Sequence, residues 1–232
     1  RVGAELDING NDRVMSKLRY VHALEHDRTN STGTVSQIHI ESTVRETTHF
    51  PDIETEVQWR ALSFLSLFAG GRHAVRSPSF YEKYGRGAVY AGNPRLKPET
   101  RLEYDIGAEM GWEHVNSSVA FFQGVTRNKI KSIMQAQSVY TPLNYADVRH
   151  RGVEWDTKIR VGSWLTLANS LTLMDNRFGP SMEKGIVGNK VPYEPAFKDL
   201  VRLTLHVGKV SVGHTFTSVS AYYYDPPNRD RN

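Results

Sequence analysis

The chain contains no cysteine, which excludes a disulfide framework, a thiolate metal site and thiol chemistry while leaving the compartment open. No stretch approaches ~18 consecutive apolar residues, so no transmembrane helix can be drawn on it. Its negative mean hydropathy does not weigh against a membrane barrel, because half of every barrel strand faces a polar lumen. No sign of charge dominates: 29 Lys and Arg stand against 25 Asp and Glu, a net +4, scattered instead of gathered into a basic stripe. Nucleic acid is therefore a poor candidate partner. Helix-period stretches are scarce. Arg1 opens in mid-pattern without a basic n-region or an apolar h-region, and is expected to be the cut edge of something longer. At 232 residues the length fits one large all-β domain or two smaller ones.

What is present is alternation. From Leu102 to Trp112 every even position is apolar (Leu102, Tyr104, Ile106, Ala108, Met110, Trp112), and the odd positions are Glu103, Asp105, Gly107, Glu109 and Gly111, after Arg101 and before Glu113. Side chains of a strand alternate between its faces, so this segment carries one apolar face and one charged or glycine face. It is also long. Strands in soluble domains average about 5 to 6 residues, whereas a bilayer-crossing strand needs roughly 9 to 11. The pattern recurs in 153–161, where Val153, Trp155, Ile159 and Val161 share a face broken only by Thr157, and in 165–173 with Leu165, Leu167, Leu171 and Leu173.

About eleven candidate strands emerge, near 2–9, 13–24, 34–46, 54–60, 62–76, 98–113, 117–131, 148–161, 164–176, 197–207 and 209–224. From residue 62 onward short connections at 114, 162 and 208 alternate with connections of roughly 15 to 20 residues at 77–97, 132–147 and 177–196. Short turns at one rim and long loops at the other characterise bacterial outer-membrane barrels. The first 61 residues fit less well. A tight turn at Asp7–Val14, a longer loop at Glu25–Gly33 and a medium one at Thr48–Ile53 place the short turn on the long-loop rim, so one of these three assignments has to be wrong.

Residues 75–110 resemble the C-terminal half of TonB-dependent outer-membrane receptors. The resemblance rests on Arg76, Pro78 and Ser79 at a strand end, then Asn93, Pro94, Leu96, Pro98 and Glu99 leading into the next strand. A second element is Asn144 followed by Gly152, Val153 and Glu154, and a third is Gly188, Pro192, Pro195 and Leu200. It covers roughly residues 54–228. The resemblance implies an all-β, antiparallel up-and-down transmembrane barrel, here a single partial barrel domain over 1–232. About eleven strands cannot close the roughly 22-stranded barrel of such transporters. Neither the family's N-terminal plug nor its TonB-contacting segment is recognisable.

The implied role is active import of a scarce chelate, a ferric siderophore or else cobalamin, across the outer membrane of a Gram-negative bacterium. Energy would come from TonB through the upstream region, and outer-membrane lipid would surround the barrel. No cofactor, catalytic group or resident metal is expected. Two other classes stay open: a non-transporting barrel such as a porin or adhesin, and a soluble β-sandwich binding module.

Candidate ligand contacts are the aromatic and arginine side chains of the long loop, Phe80, Tyr81, Tyr84, Arg86, Tyr90 and Arg95, with Tyr140, Asn144 and Tyr145 in the next. Such side chains stack on and charge-pair with an anionic ligand. The competing reading puts the Tyr and Phe in an interfacial aromatic girdle. Haem-binding relatives place a histidine between the two proline elements; Ser77–Gly92 has none, although His73 lies just upstream.

His22 to His26 match an H-x-x-E-H zinc signature. That motif needs helical spacing, and on a strand the pair stands roughly 13 Å apart at about 3.3 Å per residue. The glycine-rich segment at 85–92 lacks phosphate-loop spacing and a following helix. Glu103, Asp105, Glu109, Glu154 and Asp156 read as lumen-facing polar residues of a barrel and not as catalytic pairs. Pro94 and Pro98 hold the chain out of the sheet until Glu99, and the loop end is expected outside the cell.

Overall fold

A computed structural model describes residues 2–11, 14–35, 38–85, 89–134 and 139–231, with side chains described for 14–19 and, within those ranges, from 52 onward. Ten strands follow one another: β1 (Val2–Asn11), β2 (Val14–Val35), β3 (Ile38–Leu62), β4 (Leu65–Arg76), β5 (Glu99–Trp112), β6 (Val115–Met134), β7 (Tyr140–Val161), β8 (Leu165–Ser181), β9 (Phe197–Val207) and β10 (Val210–Val219). They form one sheet in sequence order, each antiparallel to the next. Among the described residues β1 and β10 do not pair, so the sheet is open.

Strand register turns the local alternation into two faces. One rung across β4 to β8 reads Ala69–Ile106–Phe121–Val153–Leu173, and the next reads Leu67–Ala108–Val119–Trp155–Leu171. These apolar rungs are open to the surroundings: Ile106 is 62% exposed and Trp155 47%. Buried against nothing, such a band is a liability in water and suited to hydrocarbon. The rungs between them face the other way, for example Arg72–Glu103–Gly124–His150–Asn176. As expected, Leu102 through Trp112 lie on the apolar face and the acidic odd positions oppose them. No second sheet covers the band among the described residues. The compact core is a small cluster at the long-loop end made by Tyr145, Ala146, Val148, Phe178, Ile186 and Val191, which is not how a β-sandwich is built.

Glycine on the polar face accommodates bulk from the strand alongside. Gly107 faces Phe68 and Gly152 faces Phe122 across the ladder, and a Cβ on either would collide with that ring and with a neighbouring backbone carbonyl. An aromatic ring laid over a cross-strand glycine fills the space that the missing side chain leaves.

Three expectations are corrected. The segments 34–46 and 54–60 are not two strands: β3 runs unbroken through Phe50, Pro51 and Asp52, with Pro51 opposite His22. Ten strands therefore replace the eleven expected. Nor is Glu25–Gly33 a loop, since it lies within β2, paired residue by residue with β3 as far as Val35 opposite Ile38. With both loops gone, the short connections at 63–64, 113–114, 162–164 and 208–209 share one rim with the Asn11–Val14 end of the β1–β2 pair, and the parity conflict disappears. Third, the long connection expected over 132–147 is mostly strand, since β6 and β7 stay paired out to Met134 opposite Tyr140. The 177–196 connection is likewise shortened, as β8 continues to Ser181. Extended hairpins, and not only loops, build that rim. His22 to His26 lie in β2, as the strand reading of the zinc-like motif requires, and their side chains fall outside those described.

Candidate functional site

The loop after β4 is held by the residues that carried the sequence resemblance. A short helix, α1 (Phe80–Tyr84), starts at Ser79, whose hydroxyl accepts from the Glu82 N–H while Glu82 accepts from the Ser79 N–H at 2.7 Å. This reciprocal capping satisfies two otherwise unpaired donors. Glu82 also accepts from Arg76 at 3.0 Å, and Arg76 donates to Glu99 at 2.8 Å. One guanidinium thus ties the end of β4, α1 and the start of β5 together. Burial alone would raise the Glu82 pKa, but its bonds to Arg76 and Ser79 outweigh that and hold the carboxyl below its ordinary value. Despite its partial burial, Arg76 is pushed further into its charged form, chiefly by Glu99.

The descending half of the loop is clasped by two asparagines. Asn93 donates to the Pro142 carbonyl at 3.0 Å and accepts from the Arg95 N–H at 3.1 Å. Asn144 accepts from the Lys97 N–H at 2.8 Å and donates to the carbonyls of Lys97 at 2.8 Å and Asn128 at 2.9 Å. Leu96 and Pro78 are buried beneath this clasp.

The anticipated contacts separate into three groups. Phe80 and Tyr81 are exposed on α1 at the rim; Phe80 packs on Tyr84 at 4.8 Å and Tyr81 stacks on Tyr90 at 4.2 Å. Arg95 is exposed, and among the described residues its guanidinium has no partner. Tyr90 and Tyr140 form a parallel bridge, and the Tyr90 hydroxyl lies 2.7 Å from Ser132, so these two join the loop to the β6–β7 hairpin. Tyr140, Asn144 and Tyr145 lie in strand β7 and not in a loop. Tyr145 is 8% exposed and donates its hydroxyl to Glu183 at 2.7 Å, and burial followed by that bond raises its pKa. Arg86 lies outside the described residues.

Other residues complete a cavity that the sequence reading did not single out. A recess of about 210 Å³ opens beside Tyr145, lined by Lys129 and Lys131 of β6, Phe178 of β8, and Tyr193 and Tyr224. The Lys131 ammonium sits 5.0 Å from the Tyr145 ring centre, a cation–π distance. Burial lowers the Lys131 pKa, as does nearby Lys129, while Glu183 opposes the shift. Tyr193, Tyr222 and Tyr224 meet edge-on or tilted at 5.5 to 6.1 Å. The run of tyrosines at 222–224 was the available signal, yet it reads as the end of the last strand. In the structure β10 stops at Val219 and the tyrosines turn back, with Tyr193 donating its N–H to the Tyr223 carbonyl at 2.9 Å.

A second cavity of about 600 Å³ lies next to it on the polar face, its wall including Arg101, Glu103, Asp105, His150, Asn176 and Glu194. His150 and Glu103 approach to 2.7 Å. Lys129 and Glu194 line both cavities and are 3.7 Å apart, so a single ion pair stands between the loop-end recess and the wall below. Among the described residues no three His, Cys, Asp or Glu side chains converge as a metal site, and no helix is long and apolar enough to cross a membrane.

A family model described as "TonB dependent receptor-like, beta-barrel" matches residues 4–232. The chain belongs to that family. No curated protein matches it by sequence. Its fold is similar to that of the siderophore receptor PiuA from Acinetobacter baumannii (TM-score 0.74, 17% identity, 99% of this chain and 34% of that one). The copper transporter OprC is comparable (0.72, 18%, 99% and 36%), as is the ferric yersiniabactin uptake receptor FyuA from Yersinia pestis (0.71, 16%, 99% and 35%). This TonB-dependent receptor barrel segment therefore spans about a third of the length of the solved structures it matches. The family resides in the outer membrane of Gram-negative bacteria, in keeping with an apolar band carried on strands.

Proposed function

We propose that this chain is part of an outer-membrane receptor that captures a small anionic chelate, a ferric siderophore in the first instance, at its long-loop end and imports it with energy supplied through TonB. No bond is made or broken in such a cycle. The observation that carries the reading is the rim recess, where Lys131, the Lys129–Glu194 ion pair and several tyrosines surround a small, largely apolar cavity adjoining the polar wall. Aromatic faces and ammonium groups together suit a planar, negatively charged ligand. Arg95, Phe80, Tyr81 and Tyr84 are assigned to first capture at the rim, with Arg86 kept as a candidate contact from the sequence alone; Tyr145 lines the recess, and Tyr90, Tyr140 and Asn144 are assigned to holding the loop against the β6–β7 hairpin. The siderophore and ferric-chelate receptors among the structural neighbours support a metal chelate as cargo. Cobalamin, which lacks the negative charge that Lys131 favours, is the second choice.

The test is binding of a panel of ferric catecholates, ferric hydroxamates and cobalamin to the full-length receptor, followed by isotope uptake in cells with and without TonB. Saturable binding of an anionic ferric chelate, weakened by Lys131→Gln, is expected. Uptake that persists unchanged without TonB would sink the energised-transport reading and favour a passive pore.

A further inference from the structure

We infer that Glu194 sets the charge selectivity of the rim recess, so that the recess takes one planar ring carrying a single negative charge and refuses a doubly charged one. The inference rests on the reading of the recess as a ligand site and is independent of the metal carried and of TonB. Few charges line the recess: Lys129 and Lys131 stand against Glu194, a net +1. Lys129 is committed, its ammonium 3.7 Å from Glu194 Oε1. Lys131 lies instead against the Tyr145 ring, and among the described residues no carboxylate stands within ion-pair distance of it. A ring entering beside Tyr145 therefore meets one uncommitted cation.

The loop that carries Glu194 does not need its charge. Backbone bonds fasten the segment on both sides, from the Val191 N–H to the Asn176 carbonyl at 3.0 Å and from the Met174 N–H to the Ala196 carbonyl at 2.9 Å. The Asn176 amide donates to Glu194 Oε2 at 2.6 Å, a bond that a neutral glutamine would accept equally well. The ion pair with Lys129 is partly exposed, and such pairs add little to stability. What only a carboxylate supplies at this position is the neutralisation of Lys129.

Size limits what the remaining cation can serve. A volume of about 210 Å³ suits one aromatic ring with a small substituent, since a cavity of roughly 150 Å³ takes a benzene. A second carboxylate on that ring would enter beside a lysine already neutralised by Glu194. Burying a charge without a counter-ion is unfavourable, so the doubly charged ring is the poorer ligand.

The experiment uses the full-length receptor in detergent and three one-ring probes, the uncharged benzyl alcohol, the singly anionic benzoate and the doubly anionic isophthalate, titrated by ligand-observed NMR. Wild type is expected to bind benzoate most tightly. Glu194→Gln is expected to bind isophthalate about tenfold more tightly than wild type does, the effect of one unit of charge at close range, with benzyl alcohol unchanged. Lys129→Gln/Glu194→Gln again leaves Lys131 as the one cation and is expected to restore the wild-type order, a rescue that a merely structural role for Glu194 would not give. The wild-type order needs no variant, so the proposal stays testable even should a variant misfold. Isophthalate bound by wild type as tightly as benzoate overturns the inference, and so does a double variant that keeps the Glu194→Gln order. Failure of all three probes to bind would remove the recess as a ligand site and the inference with it. TonB-dependent uptake of a ferric chelate, measured in parallel, would in that case leave the transport reading standing.

Discussion

The guanidinium of Arg76 donates to both carboxylate oxygens of Glu99, at 3.0 and 2.8 Å, joining the last residue of β4 to the first residue of β5 around the base of a long loop. The same Arg76 holds Glu82, so two features that look in the sequence like separate motifs are one clamp.

Replacing Arg76 with Ala should loosen the loop without unfolding the sheet. The pairs are partly exposed, so a local cost of roughly 1 kcal/mol is expected, seen as faster hydrogen exchange over 78–98 with β5 to β8 still protected. Acid should act similarly. Because the folded Glu82 pKa is depressed, its contribution is present above the ordinary glutamate range and is lost as pH falls toward the lower folded value. Exchange in this loop that is insensitive to pH in that window would contradict the clamp.

Asn144→Ala removes three hydrogen bonds to the backbone of Lys97 and Asn128. At about 1 kcal/mol for each bond the descending loop should be released by roughly 2 to 3 kcal/mol, again read by hydrogen exchange, at 93–98. Lost chelate binding with no change in exchange would show instead that Asn144 touches the ligand directly.

Gly107→Ala should be costly although alanine is small. The added methyl meets the Phe68 ring and the Val119 carbonyl, and only the ring can move. Overpacking of this kind costs typically 1 to 3 kcal/mol, visible as a lower temperature of the heat-modifiable gel shift in the full-length receptor. Gly111→Ala, where the nearest atom is Asn116 Oδ1 at 3.5 Å, serves as the tolerated comparison; equal shifts for both would refute the ring-over-glycine account.

Tyr193 sits at a φ of 61°, in the left-handed region that disfavours β-branched side chains most. Tyr193→Gly should therefore preserve the backbone of the 182–196 loop while removing ring contacts to Tyr222 and Tyr224, lowering chelate affinity but not protease resistance. Tyr193→Val should lose both, at about 1 to 2 kcal/mol. Identical proteolysis of the two variants would remove the backbone argument.

Much of the architecture is legible from local pattern because strand alternation is a property of neighbours in sequence. The run from Leu102 to Trp112 declares its two faces without reference to any partner. The passage of β3 through Pro51 was hidden for the converse reason. Proline and turn formers weaken local strand preference, and only pairing with β2 on one side overrides them. The candidate site divides the same way. Aromatics at Phe80, Tyr81 and Tyr90 were visible by composition, whereas Lys129, Lys131, Tyr193 and Tyr224 lie far apart in sequence and become one recess only when the chain after β10 folds back.

The sequence by itself determined that this is a strand protein, which faces of its strands are apolar, and where its long-loop rim lies, since a period of two and the placement of glycine and proline act over a few residues. Register, the Arg76–Glu99 clamp and the rings laid over Gly107 and Gly152 were decided only by the tertiary structure. Each depends on which residues face one another across a ladder, and a single step of register would place every one of those side chains on the opposite face.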